Sequence, residues 1–150
     1  MTNLSVIQDF LSQHKLVLVG ASTKSRKFGN LILKDLKEKG YQVFPVHPSA
    51  AQIEGEKCYP ALSALPEPAG GMVTCVPPQQ TEKLVQEAAR AGIKRIWMQQ
   101  GSESSTAIDF CKQNNISVVH GECILMFATP IAFPHRLHRW IWKLLGKLPG

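Results

Sequence analysis

What this chain lacks narrows it first. No run approaches the ~18 consecutive apolar residues that a membrane-spanning helix requires. The opening segment, MTNLSVIQDFLSQHK, has no basic start leading into a long apolar stretch, so no secretory signal is expected. The four cysteines, Cys58, Cys75, Cys111 and Cys123, form no CxxC pair. That spacing speaks against a zinc ribbon or a thioredoxin-type site, and reduced thiols in a cytoplasmic protein are the expectation. Acid is missing from residues 135–150, where Arg136, Arg139, Lys143 and Lys147 supply four of the six net positive charges. The basic balance therefore belongs mostly to one terminal segment and is no nucleic-acid signature. No metal cluster is evident: His135 and His138 lie three apart without a third ligand, and read as a solvated basic face.

What is present alternates. With 44% hydrophobic and 19% charged residues, the chain has the composition of a globular domain with a real core. The apolar pattern predicts a helix over Leu4–Leu11 and a strand over Lys15–Val19. A helix follows over Asn30–Lys39, closed by Gly40, and then a strand over Tyr41–Val46. Beyond it come a short edge strand near Lys57–Tyr59 and a helical turn at Ala61–Leu65. The pattern then gives a strand at Met72–Val76, a helix at Gln80–Ala91, a strand at Arg95–Met98, a helix at Glu103–Gln113 and a strand at Ile116–Val119. Continuously apolar strands separated by helices predict an α/β fold. Its core is a Rossmann-like, doubly wound, mainly parallel sheet of five or six strands, with helices on both faces. Residues 1–132 form this domain, and residues 133–150 an amphipathic C-terminal helix.

The segment KLVLVGASTKSRKFGN, Lys15–Asn30, carries the strongest functional signal. A buried strand stops at Gly20, two small residues follow, and a helix opens near Gly29. Such a turn lets backbone N–H groups and a helix N-terminus meet a phosphate. A dinucleotide fingerprint would require glycines where Ser22 and Ser25 stand, and an acid after the second strand, where Val46-His47-Pro48 stands instead. A P-loop motif is absent as well. Lys24, Arg26 and Lys27 suit a ligand with a further phosphate; alternatively they are a solvated loop. The predicted strand ends form a four-part rim: Gly20-Ala21-Ser22, Val46-His47-Pro48, Val76-Pro77-Pro78 and Gln99-Gln100-Gly101. The rim holds no carboxylate.

Five motifs resemble one family. VLVGAS (Val17–Ser22), GYQVFPVHP (Gly40–Pro48), GEKCYPALSALPEP (Gly55–Pro68), GIKRIWMQQG (Gly92–Gly101) and GECILM (Gly121–Met126) occur in that order. Together they make residues 5–127 similar to the small stand-alone CoA-binding domain proteins. The fold of that family resembles the CoA-binding domain of the succinyl-CoA synthetase alpha subunit and of ADP-forming acyl-CoA synthetases. The resemblance implies a site for coenzyme A or an acyl-CoA. Gly20, Ala21 and Ser22 would cradle the diphosphate through backbone N–H groups and the Ser22 hydroxyl. Lys27, Phe28 and Gly29 would shape the loop into the helix. Val46, His47 and Ser49 would border the adenosine end. Val76 and Pro77 would pack on the adenine or the pantetheine arm, and Met98, Gln99 and Gly101 would line the far side. Nothing in the sequence matches the synthetases' phosphohistidine or grasp domains, so binding rather than ligation is implied.

Catalytic candidates are few. His120 and Glu122 share one face of an extended chain, but no second group with a clear role accompanies them. Cys75 reads as a small core residue. Cys123 follows the last strand, where a helix start would activate its thiol toward a mixed disulfide with the CoA thiol under oxidising conditions. The expectation is an accessory, sensor or carrier protein without evident catalysis. The alternatives are an NAD(P)-linked oxidoreductase, a CoA-dependent transferase, or an interaction module. The last would use Phe133–Pro149, whose Leu137, Trp140, Ile141, Leu144, Leu145 and Leu148 fall on one helical side. That side would pack on its own domain, on a second copy in a homodimer, on a protein partner, or on a membrane surface.

Overall fold

The structure, a computed structural model, describes residues 3–24 and 27–128. Along the chain these form α1 (Leu4–Leu11), β1 (Lys15–Val19), α2 (Phe28–Glu38), β2 (Gln42–Val46), β3 (Gln52–Ile53), β4 (Glu56–Lys57), β5 (Gly71–Thr74), α3 (Pro78–Arg90), β6 (Arg95–Met98), α4 (Ser105–Gln113) and β7 (Ser117–Val119). The C-terminal helix predicted over residues 133–150, with His135 and His138, lies outside the described residues, as do Ser25 and Arg26.

Five strands make one sheet in the order β2-β1-β5-β6-β7. Every neighbouring pair is parallel, with Leu16 beside Val43 and Gly71, Val73 beside Trp97, and Ile96 beside Val118. The chain winds outward from β1 to β2, then crosses back to β5 and on to β7. The reversal between β1 and β5 is the point at which such sheets open a crevice at their carboxyl ends.

Alternation along each strand sends side chains to two cores. Leu16, Leu18, Val73 and Trp97 face α1 and α2, while Val17, Met72, Ile96 and Met98 face α3 and α4. Burial on both faces is why the strands read as unbroken apolar runs. Trp97 anchors the first core. Its ring meets Phe10 edge-on at 5.4 Å and Phe127 at 6.0 Å, and its Nε1–H donates to the Glu122 carbonyl at 3.2 Å. An indole needs such a partner when buried.

Some boundaries shift for local reasons. A hairpin, β3–β4, replaces the short edge strand expected near Lys57–Tyr59. Its two turn residues, Glu54 and Gly55, both have positive φ (52° and 78°), as a two-residue primed turn demands. Tyr59 then bridges Val46 in parallel, extending the sheet past β2. Helix α4 begins later than expected, with Ser104 as its cap, because the Glu103 carboxylate folds back onto the Gly101 N–H at 3.0 Å. Pro78 opens α3 at the first helical position, where its missing N–H costs nothing.

Candidate functional site

A cleft of about 380 Å³ opens at the carboxyl ends of β2, β1 and β5, at the sheet's reversal point. Gly20, Ala21 and Ser22 form its floor, Lys27 one side, Val46 and His47 a second, and Val76 and Pro77 a third. Cys75 and Gln80 also line it.

The turn after β1 is built by close approach. Gly20 has φ of 129°, and a side chain there would run into the Cys75 backbone. Gly29, in the first turn of α2, sits so near the turn that an added Cβ would lie 2.5 Å from the Gly20 carbonyl oxygen and 2.8 Å from the Ala21 nitrogen. This is the tight helix-to-turn packing that a glycine-rich fingerprint normally supplies, moved later in the chain.

Asn30 then locks the turn. It is 1% exposed, and its Oδ1 accepts from the Ser22 N–H at 2.8 Å. Its Nδ2 donates to the Ser22 carbonyl at 2.6 Å and to Glu54 Oε1 at 3.2 Å. The Ser22 N–H is therefore spent inside the protein and is not the phosphate donor expected from the sequence. The Ser22 hydroxyl oxygen accepts from the Lys24 N–H at 3.2 Å, which leaves its own proton free to donate. Glu54, on the hairpin, is held by Lys34 at 3.3 Å, and its backbone carbonyl by Lys37 at 3.3 Å. The Asn30 hydrogen bond, with help from these lysines and against partial burial, keeps its carboxyl below the ordinary glutamate range.

His47 is oriented rather than loose. Its Nδ1 accepts from the Ser49 and Ala50 N–H groups at 3.1 and 3.0 Å, so the ring proton sits on Nε2. Ser49 serves that turn through its backbone and does not line the cleft. Phe28 is exposed and is not among the cleft-lining residues, and Gly29 supports the floor from beneath.

The fourth part of the expected rim does not join. Met98 is fully buried against α3 and α4, because alternation points it away from the Trp97 side. Gln99 is buried, and its Oε1 accepts from the Ile124 N–H at 3.0 Å, tying the returning chain over the end of β6. Gly101 is exposed in the loop beyond. Beneath that loop, Ser102 Oγ bonds Thr74 and Thr81 hydroxyls, each at 2.8 Å, which satisfies three buried groups at once. Sequence reasoning missed Asn30 and Gln80. A lone asparagine opening an apolar helix was the only available signal for the first.

Two helices aim at the cleft, and both are bare. α2 starts after Lys27 and α3 after Pro77, and neither has a side-chain cap. By contrast α1 is capped by Asn3 and α4 by Ser104. Uncapped amides and aligned dipoles favour an anion. No Asp or Glu lines the cleft. Cys75 is the thiol among the cleft-lining residues, and burial first, then Cys123 nearby, push its pKa up against the pull of Lys27. Cys123 precedes only a three-residue turn, Ile124–Met126, not the helix expected. No group of three or more His, Cys, Asp or Glu that could hold a metal occurs among the described residues. No helix among them is long and apolar enough to cross a membrane.

A doubly wound parallel sheet with an anion-receptive cleft at its reversal point defines a Rossmann-like ligand-binding domain. The chain belongs to the CoA binding domain family, whose model matches residues 14–129. It is similar to the ADP-forming acetate–CoA ligase I of Archaeoglobus fulgidus, with 27% identity over 127 residues, 78% of this chain but 18% of the ligase. The chain thus spans about a fifth or less of the ligases of Archaeoglobus fulgidus that it matches. An uncharacterized protein of Bacillus subtilis, YneT, matches at 23% over 79% of this chain and 88% of its own length. Among solved structures, a conserved hypothetical protein of Pyrococcus furiosus shares 41% identity. That match has a TM-score of 0.71 and covers 75% of this chain and 97% of the other.

Proposed function

We propose that this chain binds coenzyme A or an acyl-CoA as an accessory, sensor or carrier protein, without catalysis of its own. The observation that carries the reading is the pair of uncapped helix N-termini converging on a cleft with no carboxylate. A diphosphate fits between them, over Ala21, with the Ser22 hydroxyl as donor and Lys27 as counter-charge. His47, which also lines the cleft with Nδ1 already occupied, would offer Nε2–H as a second donor. Lys27, which lines the cleft, and Lys24 in the same loop are the candidates to meet a ribose phosphate. The cleft offers no acid–base pair, and its cysteine is held protonated, which supports binding without turnover.

Calorimetry with CoA, acetyl-CoA, dephospho-CoA and NAD tests this. CoA should bind, and should bind more tightly than dephospho-CoA if the lysines meet the ribose phosphate. NAD binding without CoA binding would overturn the reading.

A further inference from the structure

Glu54 stands where local chemistry argues against a glutamate. It is the first of the two turn residues that join β3 to β4, and its φ is 52°. Glycine, asparagine and aspartate suit such a turn, whereas a longer side chain in the left-handed region is strained. A residue kept against local preference points to a role elsewhere. The mostly buried Glu54 side chain reaches from the hairpin to α2. Its Oε1 accepts from Asn30 Nδ2 at 3.2 Å, and Lys34 holds Oε2 at 3.3 Å.

Asn30 links that carboxylate to the cleft. Its amide grips the Ser22 backbone twice, accepting from the N–H and donating to the carbonyl. Ser22 lines the cleft, and Asn30 and Glu54 do not. A buried side-chain amide carries two N–H donors, and each needs an acceptor. The Ser22 carbonyl takes one and Glu54 the other. The carboxylate thus completes Asn30 in the orientation that also meets the Ser22 N–H. A side chain one carbon shorter would fall short of Asn30 from the same backbone. The hairpin itself is firmly seated. Cys58 N–H donates to the Ala51 carbonyl, and His47 N–H to the Tyr59 carbonyl, both at 2.9 Å.

We propose that Glu54 is a positioning residue of the cleft, which acts through Asn30 to hold Ser22 where its hydroxyl meets the ligand. The ligand's identity rests on the CoA reading; the coupling from Glu54 to Ser22 rests on the hydrogen bonds alone.

Calorimetry with CoA and amide hydrogen exchange at Ser22, both on the full chain, test it. Glu54→Asp keeps the charge and suits the turn but cannot reach Asn30. It should weaken CoA about fivefold and raise Ser22 exchange severalfold, while the ligand-free melt holds or rises. Glu54→Gln keeps the reach and an acceptor without the charge. It should recover most of that affinity and the protection of Ser22. If Glu54→Asp fails to fold, Glu54→Asn, a residue the turn prefers, repeats the shortened reach. Affinity lost in Glu54→Gln but kept in Glu54→Asp would reduce Glu54 to its charge and overturn the proposal. So would Ser22 exchange at the parental rate in Glu54→Asp, or faster exchange with parental CoA affinity. A parent chain that fails to bind CoA would sink the CoA reading, and Ser22 exchange would still decide whether Glu54 holds the turn.

Discussion

Replacing Asn30 by alanine should loosen the turn after β1 without touching the sheet. The residue is 1% exposed and makes three side-chain hydrogen bonds, two to Ser22 and one to Glu54. Each bond to the Ser22 backbone is worth about 1 kcal/mol net, and the longer one to the carboxylate about as much. Alanine regains roughly 0.5 kcal/mol of helix propensity. The net loss is about 2.5 kcal/mol, or about 5–10 °C in Tm for a domain of this size. Asn30→Asp is the sharper variant. One oxygen still accepts from Ser22 N–H, but the other faces the Ser22 carbonyl and the Glu54 carboxylate. Burial and Glu54 would raise the new carboxyl's pKa in the folded state. A raised folded value gives stability that is present below the unfolded pKa and lost above it. The deficit should therefore be largest near neutrality and shrink as pH falls towards about 4. Thermal melts followed by circular dichroism across that range measure both. An Asn30→Ala melt within about 2 °C of the parent, or an Asn30→Asp deficit flat with pH, would refute the account of the turn.

Gly29→Ala puts a methyl 2.5 Å from a backbone oxygen that cannot retreat, so it should cost at least about 3 kcal/mol and show as lost soluble yield or a collapsed melt; a near-parental melt would show that the turn yields. Ser22→Ala removes the one free hydroxyl proton on the cleft floor, and should weaken CoA about tenfold by calorimetry with the ligand-free melt little changed. The Tyr41 hydroxyl donates to the Leu11 carbonyl at 3.0 Å, and burial first, then Asp35, push its pKa up to about 12. Its contribution is thus complete below the ordinary value of about 10 and lost as pH rises through the folded one. Tyr41→Phe should remove that part of the alkaline limb, at about 1 kcal/mol of neutral-pH stability in urea titrations.

The parallel sheet was legible because burial on both faces leaves an unmistakable mark on composition. Leu16–Val19 and Met72–Val73 could hardly be anything else. The Gly20 turn was legible for the same reason, as the stop of such a run. What escaped depended on contacts far apart in sequence. Asn30 reads as one polar residue on a helix, and only the fold brings it to Ser22 and Glu54. Gly29 looked like the opening of a helix and proved to be the packing glycine. The fourth rim segment failed on two counts. Met98 could have been assigned inward from strand alternation alone, since it neighbours Trp97. The covering of Gln99 by Ile124 rests on a return of the chain that no local pattern announces.

The bare N-termini of α2 and α3 have a consequence for the life of the molecule. An anion that met those helix ends only in the folded chain would add its binding free energy to the fold. At a ligand concentration a hundredfold above Kd, mass action alone adds about 2.7 kcal/mol to the folded state. A stability change of that size alters how often a chain is caught open by proteases. The amount of this protein in a cell, and not only its occupancy, would then follow the supply of its ligand.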